Sequence, residues 1–215
     1  MPPTIRIMLV DDHAVVRAGY RVLLSQADNL VVVAEAESGE QACQYYVDHQ
    51  PDVVVMDLSL PGIGGLAAIH RICARDETAR ILVFSMHDEA AYVERALAAG
   101  AQGYITKASA PDILLEAVRS IAGGGVYVES RLAECLAARS RCGAEENPGM
   151  AQLSAREFDV FCLLAQGCTT RQVAEMLCMG YKTAANHATA IRAKLGVNTT
   201  AEMARLAYQQ GLIKH

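Results

Sequence analysis

No apolar run in this 215-residue chain reaches the roughly 20 residues that cross a bilayer. The N-terminal stretch MPPTIRIMLV leads straight into a strand-like segment. A soluble, cytoplasmic chain with no membrane partner is expected. C-x-x-C pairs are also lacking. The seven cysteines, Cys43, Cys73, Cys135, Cys142, Cys162, Cys168 and Cys178, are odd in number and fall mostly among helical apolar positions. This argues against a disulfide framework or a zinc site, so reduced thiols are expected. Tryptophan is absent too. Hydrophobic residues nevertheless make up 52% of the chain, without low-complexity stretches, which argues against disorder.

Net charge is small, −5, but uneven. Residues 1–125 carry nine Lys and Arg against sixteen Asp and Glu, whereas residues 151–215 carry seven against four. An acidic front and a basic back suggest two domains with different partners. The positive back suits contact with a phosphate backbone.

The front alternates strand-like and helix-like segments. Strands are expected at Ile5–Val10, Leu30–Ala34, Val53–Asp57, Ile81–Ser85 and Gly103–Thr106. Helices are expected at Ala14–Ser25, from a capping box at Ser38–Gln41, at Gly65–Ala74, at Glu89–Ala99, and after Ser109-Ala110-Pro111-Asp112. Five β-α units predict a flavodoxin-like, doubly wound, five-stranded parallel sheet. Gly123 to Met150 reads as a linker with one helix, Glu129–Arg139. The rest predicts a separate all-α domain of four helices. Capping boxes open at Ser154 and Thr169, a long helix spans Lys182–Leu195, and Thr199 caps the last. A tight turn at Met179-Gly180 joins the second and third, the layout of a helix-turn-helix. The domains are therefore set at 1–122, 123–149 for the linker, and 150–215.

Polar residues end four of the strands. Strand 1 runs into Asp11-Asp12, strand 3 into Asp57, strand 4 into Ser85 and strand 5 into Lys107. In strand order 2-1-3-4-5 the three carboxylates converge beside the switch point, where open α/β sheets bind ligands. Such carboxylates repel one another and call for a cation. Oxygen donors of this kind suit Mg²⁺, which keeps waters and accepts a phosphate oxygen. Asp57 is then a candidate nucleophile that forms an acyl phosphate. Lys107 and Ser85 are candidates to hold the phosphoryl oxygens.

These stretches, DDH at 11–13, MDLSLPG at 56–62, SMHDE at 85–89 and GYITKAS at 103–109, resemble the receiver domains of two-component response regulators. The resemblance covers roughly residues 4–122. It implies that Asp57 takes a phosphoryl group from the histidine of a sensor histidine kinase. It further implies that Asp12, Asp57 and the main-chain carbonyl of Ser59 hold Mg²⁺, with Asp11 assisting through water. Ser85 and Tyr104 match the family's switch pair, in which the hydroxyl turns to the phosphate and the ring turns inward. Many receivers carry Pro after the lysine, whereas this chain has Ala108.

In the helix Lys182–Leu195, Ala184, Ile191 and Leu195 form an apolar stripe, while Lys182, Ala185, Thr189 and Arg192 share another face, flanked by Asn186. Asn can pair with adenine, and Ala or a Thr methyl can touch thymine. Lys182, Lys194, Arg171 and Arg192 are candidate phosphate contacts. A solvated helix face is the alternative reading of that helix alone. The segment from LSAREFDVF to AKLGV resembles the LuxR-type helix-turn-helix of the NarL/FixJ subfamily of response regulators, over roughly 150–213. By that resemblance Lys182, Thr183 and Lys194 meet phosphates, and Ala185, Asn186 and Thr189 face bases. Gly180, Ala184 and Thr199 depart from the family's usual Ser, Val and Arg.

Together these readings predict a DNA-binding transcriptional regulator switched by phosphorylation and not an enzyme, although the receiver can slowly shed its own phosphate. It is expected to bind double-stranded promoter DNA as a homodimer when phosphorylated, with RNA polymerase a further candidate partner. Two rivals stand against this. A Mg²⁺-dependent hydrolase with an aspartyl nucleophile would need a carboxylate at position 59, where this chain has Ser59. A binding protein that never takes phosphate has no use for the acidic pocket.

Overall fold

A computed structural model of the chain describes residues 3–141 and 147–213. Two compact units form, and the boundary between them along the linker falls inside one helix, after Glu134. Cys142 lies outside the described residues. The six described cysteines are free thiols.

The first unit contains β1 (Ile5–Val10), α1 (Ala14–Ser25), β2 (Leu30–Ala36), α2 (Gly39–His49), β3 (Val53–Met56), α3 (Gly65–Arg75), β4 (Ile81–Ser85), α4 (Ala90–Ala98), β5 (Gly103–Thr106) and α5 (Pro111–Ala122). The first five strands pair in parallel in the expected order, β2-β1-β3-β4-β5. The five-strand expectation needs one correction. β6 (Tyr127–Val128) pairs with β5 in parallel, giving six strands among the described residues. Two residues are too few to show any periodicity, so this strand read as linker. The linker helix itself is α6 (Ser130–Arg141).

Branched apolar runs become strands covered on both faces. Every residue of β3, β4 and β5 is buried. On one face Ile7, Leu9, Val53, Val55, Leu82, Phe84 and Ile105 pack with Leu24 of α1 and with Leu114, Ala117, Val118 and Ile121 of α5. The alternate residues Met8, Val54, Met56, Ile81, Val83 and Tyr104 are buried as well. Strand alternation assigns them to the other face.

Helix ends follow the capping chemistry with two local departures. Ser38 accepts from the Gln41 N–H at 3.3 Å, but the Gln41 side chain accepts from the Glu37 N–H, one residue before the cap. The Lys107–Ala108 peptide is trans. Gly65, at the start of α3, has no room for a side chain. A Cβ there would lie 2.1 Å from the Asp57 carbonyl oxygen and 2.6 Å from Leu58 Cα.

The second unit contains the end of α6 and α7 (Pro148–Ala151), α8 (Ala155–Ala165), α9 (Thr170–Met176), α10 (Tyr181–Leu195) and α11 (Thr200–Gln209). The four expected helices are α8 to α11. The single turn of α7, opened by Asn147 and Pro148, adds a fifth element. Arg139 of α6 donates to the Gln210 carbonyl and, at 2.9 Å, to its side-chain oxygen. Ser154 and Thr169 form complete capping boxes. Thr199 caps α11 through the Glu202 N–H, but the Glu202 carboxylate accepts from Asn198. Phe158, Phe161, Val173, Ala184, Ile191 and Met203 are fully buried and make the core.

Gly65→Ala is expected to lower stability by about 1–3 kcal/mol, because the backbone that holds Asp57 must shift. Urea unfolding checks this, and an unchanged midpoint would contradict the tight packing.

Candidate functional site

Parallel strands put all their carboxyl ends on one rim of the sheet. Asp11 follows β1, Asp57 follows β3, Ser85 ends β4 and Lys107 follows β5. The backbone ties these ends together. The Asp57 N–H donates to Val10 and the Lys107 N–H to Ser85, at 2.9 and 2.8 Å.

Asp11, Asp57 and Ser85 are buried, and the Lys107 ammonium donates to both carboxylates, 2.6 Å to Asp11 Oδ2 and 2.7 Å to Asp57 Oδ2. Burial alone would lower the lysine's pKa. The charge of Asp57 and the hydrogen bonds to both carboxylates outweigh it, so Lys107 stands above the ordinary lysine value. The cluster thus carries a cation between two anions in the folded chain.

Asp12 is less enclosed and meets His13 Nδ1 at 2.7 Å. One ligand atom each from Asp11, Asp12 and His13 lie within 4.8 Å of one another. The hard oxygen donors fit a divalent cation such as Mg²⁺, and the lysine already held between Asp11 and Asp57 shows the demand for positive charge. Ser59 is exposed; its N–H donates to Asp57 Oδ1 at 3.3 Å.

The expected switch pair is brought together through a third residue. Tyr104 is fully buried, and its hydroxyl donates to the His87 carbonyl at 2.9 Å. The His87 N–H donates to Ser85 Oγ at 3.4 Å. The His87 ring stacks on Tyr92 at 3.9 Å, and its Nε2 meets Ser59 Oγ at 3.2 Å.

His87 was not singled out from the sequence, although SMHDE contains it. Arg17 was missed as well. It is buried and donates to the Asp11 carbonyl at 2.5 Å and to Glu37 at 2.6 Å, so it braces the strand end that carries the acidic pair. Its only signal was that it is one of two arginines, with Arg21, inside a largely apolar helix.

In the second unit, α10 buries Ala184, Ala188, Ile191 and Leu195. Lys182, Thr183, Asn186 and Thr189 are exposed, and Ala185 is half-buried. The Thr189 hydroxyl donates to the Ala185 carbonyl at 3.0 Å. Gly180 caps α10 without a side-chain bond. Arg171 is exposed and pairs with Glu175 at 3.7 Å.

Lys194 is exposed as well, but has partners inside the domain. Its ammonium reaches both Glu157 oxygens, at 2.8 and 2.6 Å, and the Gln152 carbonyl at 3.1 Å. It joins the end of α10 to the start of α8 while remaining exposed. Spacing could not show the Glu157 partner, which lies 37 residues away.

Residues 7–119 match the family model described as response regulator receiver domain, and residues 151–207 match that of bacterial regulatory proteins, luxR family. The chain belongs to the response-regulator family. The transcriptional activator protein ExaE of Pseudomonas putida is 42% identical to this regulator over 209 residues, covering 97% of this chain and 98% of that protein. Response regulator UvrY of Escherichia coli K12 is 33% identical over 208 residues, covering 97% and 95%. Among solved structures, RcsB of Salmonella enterica serovar Typhimurium, bound to promoter P1flhDC in the presence of the phosphomimetic BeF3−, is similar with 26% identity, a TM-score of 0.65 and coverage of 96% and 98%. The regulator joins a receiver domain to a LuxR-type DNA-binding domain. No helix among its described residues is long and apolar enough to cross a membrane.

The Lys194–Glu157 pair carries a pH signature. Burial would raise the Glu157 carboxyl, but the bonds from Lys194 and Ser154 outweigh it and hold its pKa below the ordinary 4.5. A carboxyl lowered on folding adds stability above the ordinary value, and that stability disappears as pH falls through the folded one. Glu157→Gln should therefore be less stable than wild type at pH 6–8. The gap should close as pH drops below 4.5. Urea midpoints across pH check this, and a gap independent of pH would refute the ion pair's role.

Proposed function

We propose that Asp57 is the phosphoacceptor of this response regulator and that its phosphorylation by a sensor histidine kinase controls DNA binding by α10. The observation that supports this best is the Lys107 ammonium held by both Asp11 and Asp57 at one rim of the sheet. A carboxylate oxygen of Asp57 attacks the phosphorus of a phosphohistidine. The P–O bond forms as the P–N bond breaks, and the departing nitrogen keeps the electron pair. Asp12, Asp57 and the main-chain carbonyl of Ser59 would hold Mg²⁺, with Asp11 nearby. The ion supplies positive charge against the phosphoryl oxygens when bound. Lys107 exchanges a carboxylate partner for a phosphoryl oxygen, since its ammonium has three donors. The Ser85 hydroxyl takes another oxygen, which loosens its bond from the His87 N–H and thereby the seat of Tyr104. The acyl phosphate is slowly hydrolysed on the receiver itself.

The receiver occupies 1–122, the linker 123–149 and the DNA-binding domain 150–215. In a helix-turn-helix the second helix enters the major groove. Lys182 and Thr183 contact phosphates at the start of α10, while Ala185, Asn186 and Thr189 face base edges. Lys194, exposed at the end of α10 and bonded to Glu157, is a third phosphate contact. A domain with so small a positive excess needs two half-sites, hence a homodimer on promoter DNA. RNA polymerase is a further partner, and the cytoplasm is where these partners meet.

Incubation with Mg²⁺ and a small phosphodonor should add one phosphoryl mass to wild type and none to Asp57→Ala. An unmodified wild type, or an equal adduct on the variant, would overturn the assignment. For DNA, Lys182→Ala should reduce the slope of log affinity against log salt by about one, while Asn186→Ala should relax the motif selected from a random duplex pool. Unchanged slope and motif would remove α10 from the interface.

A further inference from the structure

Lys107 sits on a turn that is clamped from outside. The turn runs Thr106-Lys107-Ala108-Ser109 and is closed by the Ser109 N–H donating to the Thr106 carbonyl at 3.0 Å. Lys107 and Ala108 are its two central residues. One oxygen of Glu129 grips both ends. Glu129 Oε2 accepts from the Thr106 N–H at 3.1 Å, from Thr106 Oγ1 at 3.1 Å and from Ser109 Oγ at 2.7 Å. The two hydroxyls also meet each other at 3.0 Å. Burial would raise the Glu129 carboxyl, but the Ser109 and Thr106 bonds outweigh it and keep the group below its usual range, consistent with a charged acceptor.

The same residue starts the linker helix. Glu129 immediately precedes Ser130, the first residue of α6. Its carbonyl accepts from the N–H groups of Leu132 and Ala133, at 2.9 and 3.0 Å, and its own N–H donates to the Tyr104 carbonyl at 3.1 Å. Two residues on, Arg131 donates to Asp88 at 2.6 Å, next to His87 in the loop after β4. Arg131 is largely exposed, so that pair contributes little. The weight rests on Glu129.

We infer that Glu129 is a positioning residue that holds the Lys107 turn to the first turn of α6, so that displacement of Lys107 is passed to the linker helix. This inference rests on the reading that Lys107 senses a phosphoryl group on Asp57. When the ammonium follows that group, the turn's ends move, and the carboxylate bonded to both must move or release them. Its backbone carries the first hydrogen bonds of α6, so either event alters that helix turn.

Hydrogen exchange on the full chain, with Mg²⁺ and with or without a small phosphodonor, tests it. Intact mass reports the phosphoryl group in the same samples. In wild type, modification should change exchange in 106–109 and also in residues 132–136, the latter by about fivefold, the scale of one hydrogen bond. Glu129→Ala should keep the first response and lose the second. Glu129→Gln, which retains an acceptor oxygen, should restore the second. Ser109→Ala combined with Thr106→Val removes the two hydroxyl donors, leaving only the residue-106 N–H, and should weaken the second response as Glu129→Ala does, which covers the case in which that variant fails to fold. A modified wild type with no change in 132–136, or a full response there in both donor and acceptor variants, would overturn the inference. A wild type that takes no phosphoryl mass would instead defeat the reading beneath it.

Discussion

The fold hinges on one ammonium group between two buried carboxylates. Taking Asp11 and Asp57 out of water costs several kcal/mol each if they are left alone. Lys107 offsets much of that cost at 2.6 and 2.7 Å, and it arrives from a strand two places across the sheet from Asp57. Registers of β1, β3, β4 and β5 must all be correct for the three groups to meet. A slip of one residue in any of these strands would turn its buried side chains to the opposite face. The charged cluster therefore favours one alignment of a sheet whose apolar runs alone would tolerate several.

Most of this was legible in the sequence. Parallel strands buried on both faces announce themselves as unbroken branched runs, and the position of a polar residue at each run's end needs no three-dimensional knowledge. Alternation of β and α segments pointed to a doubly wound parallel sheet, and the flavodoxin-like order assumed for it is the one the first five strands adopt. What escaped were features whose partners lie far along the chain. Arg17 looks like a helix-surface cation until Glu37 and the Asp11 carbonyl are brought to it. Lys194 looks like a free basic residue until Glu157 is seen beneath it. Glu129 lies in a stretch that reads as linker, and its three donors come from a turn 20 or more residues earlier. Charge pairs carry no periodicity, so spacing cannot reveal them.

The two units are held differently. In the first, hydrogen bonds link strand ends to side chains on the rim, and the polar groups there are tied to one another through backbone. In the second, stability rests on apolar helix stripes and on end caps, each contributing about 1 kcal/mol. Such an arrangement leaves Lys182, Thr183, Asn186 and Thr189 of α10 outside the buried stripe of Ala184, Ala188, Ile191 and Leu195. Small core residues at two of those four positions also let the helix pack closely.

The short β6 has a consequence for the edge of the sheet. A parallel strand as buried as β5 would present open amide and carbonyl groups along one side if nothing lay beside it. Tyr127 and Glu129 take up the Gln102 and Tyr104 carbonyls there. A fragment cut after Ala122 would keep every helix and strand expected from its family resemblance, yet bare that side to another copy of itself. The sheet therefore runs past Val128, and the first residues after α5 cover an edge that β5 would otherwise offer to a second strand.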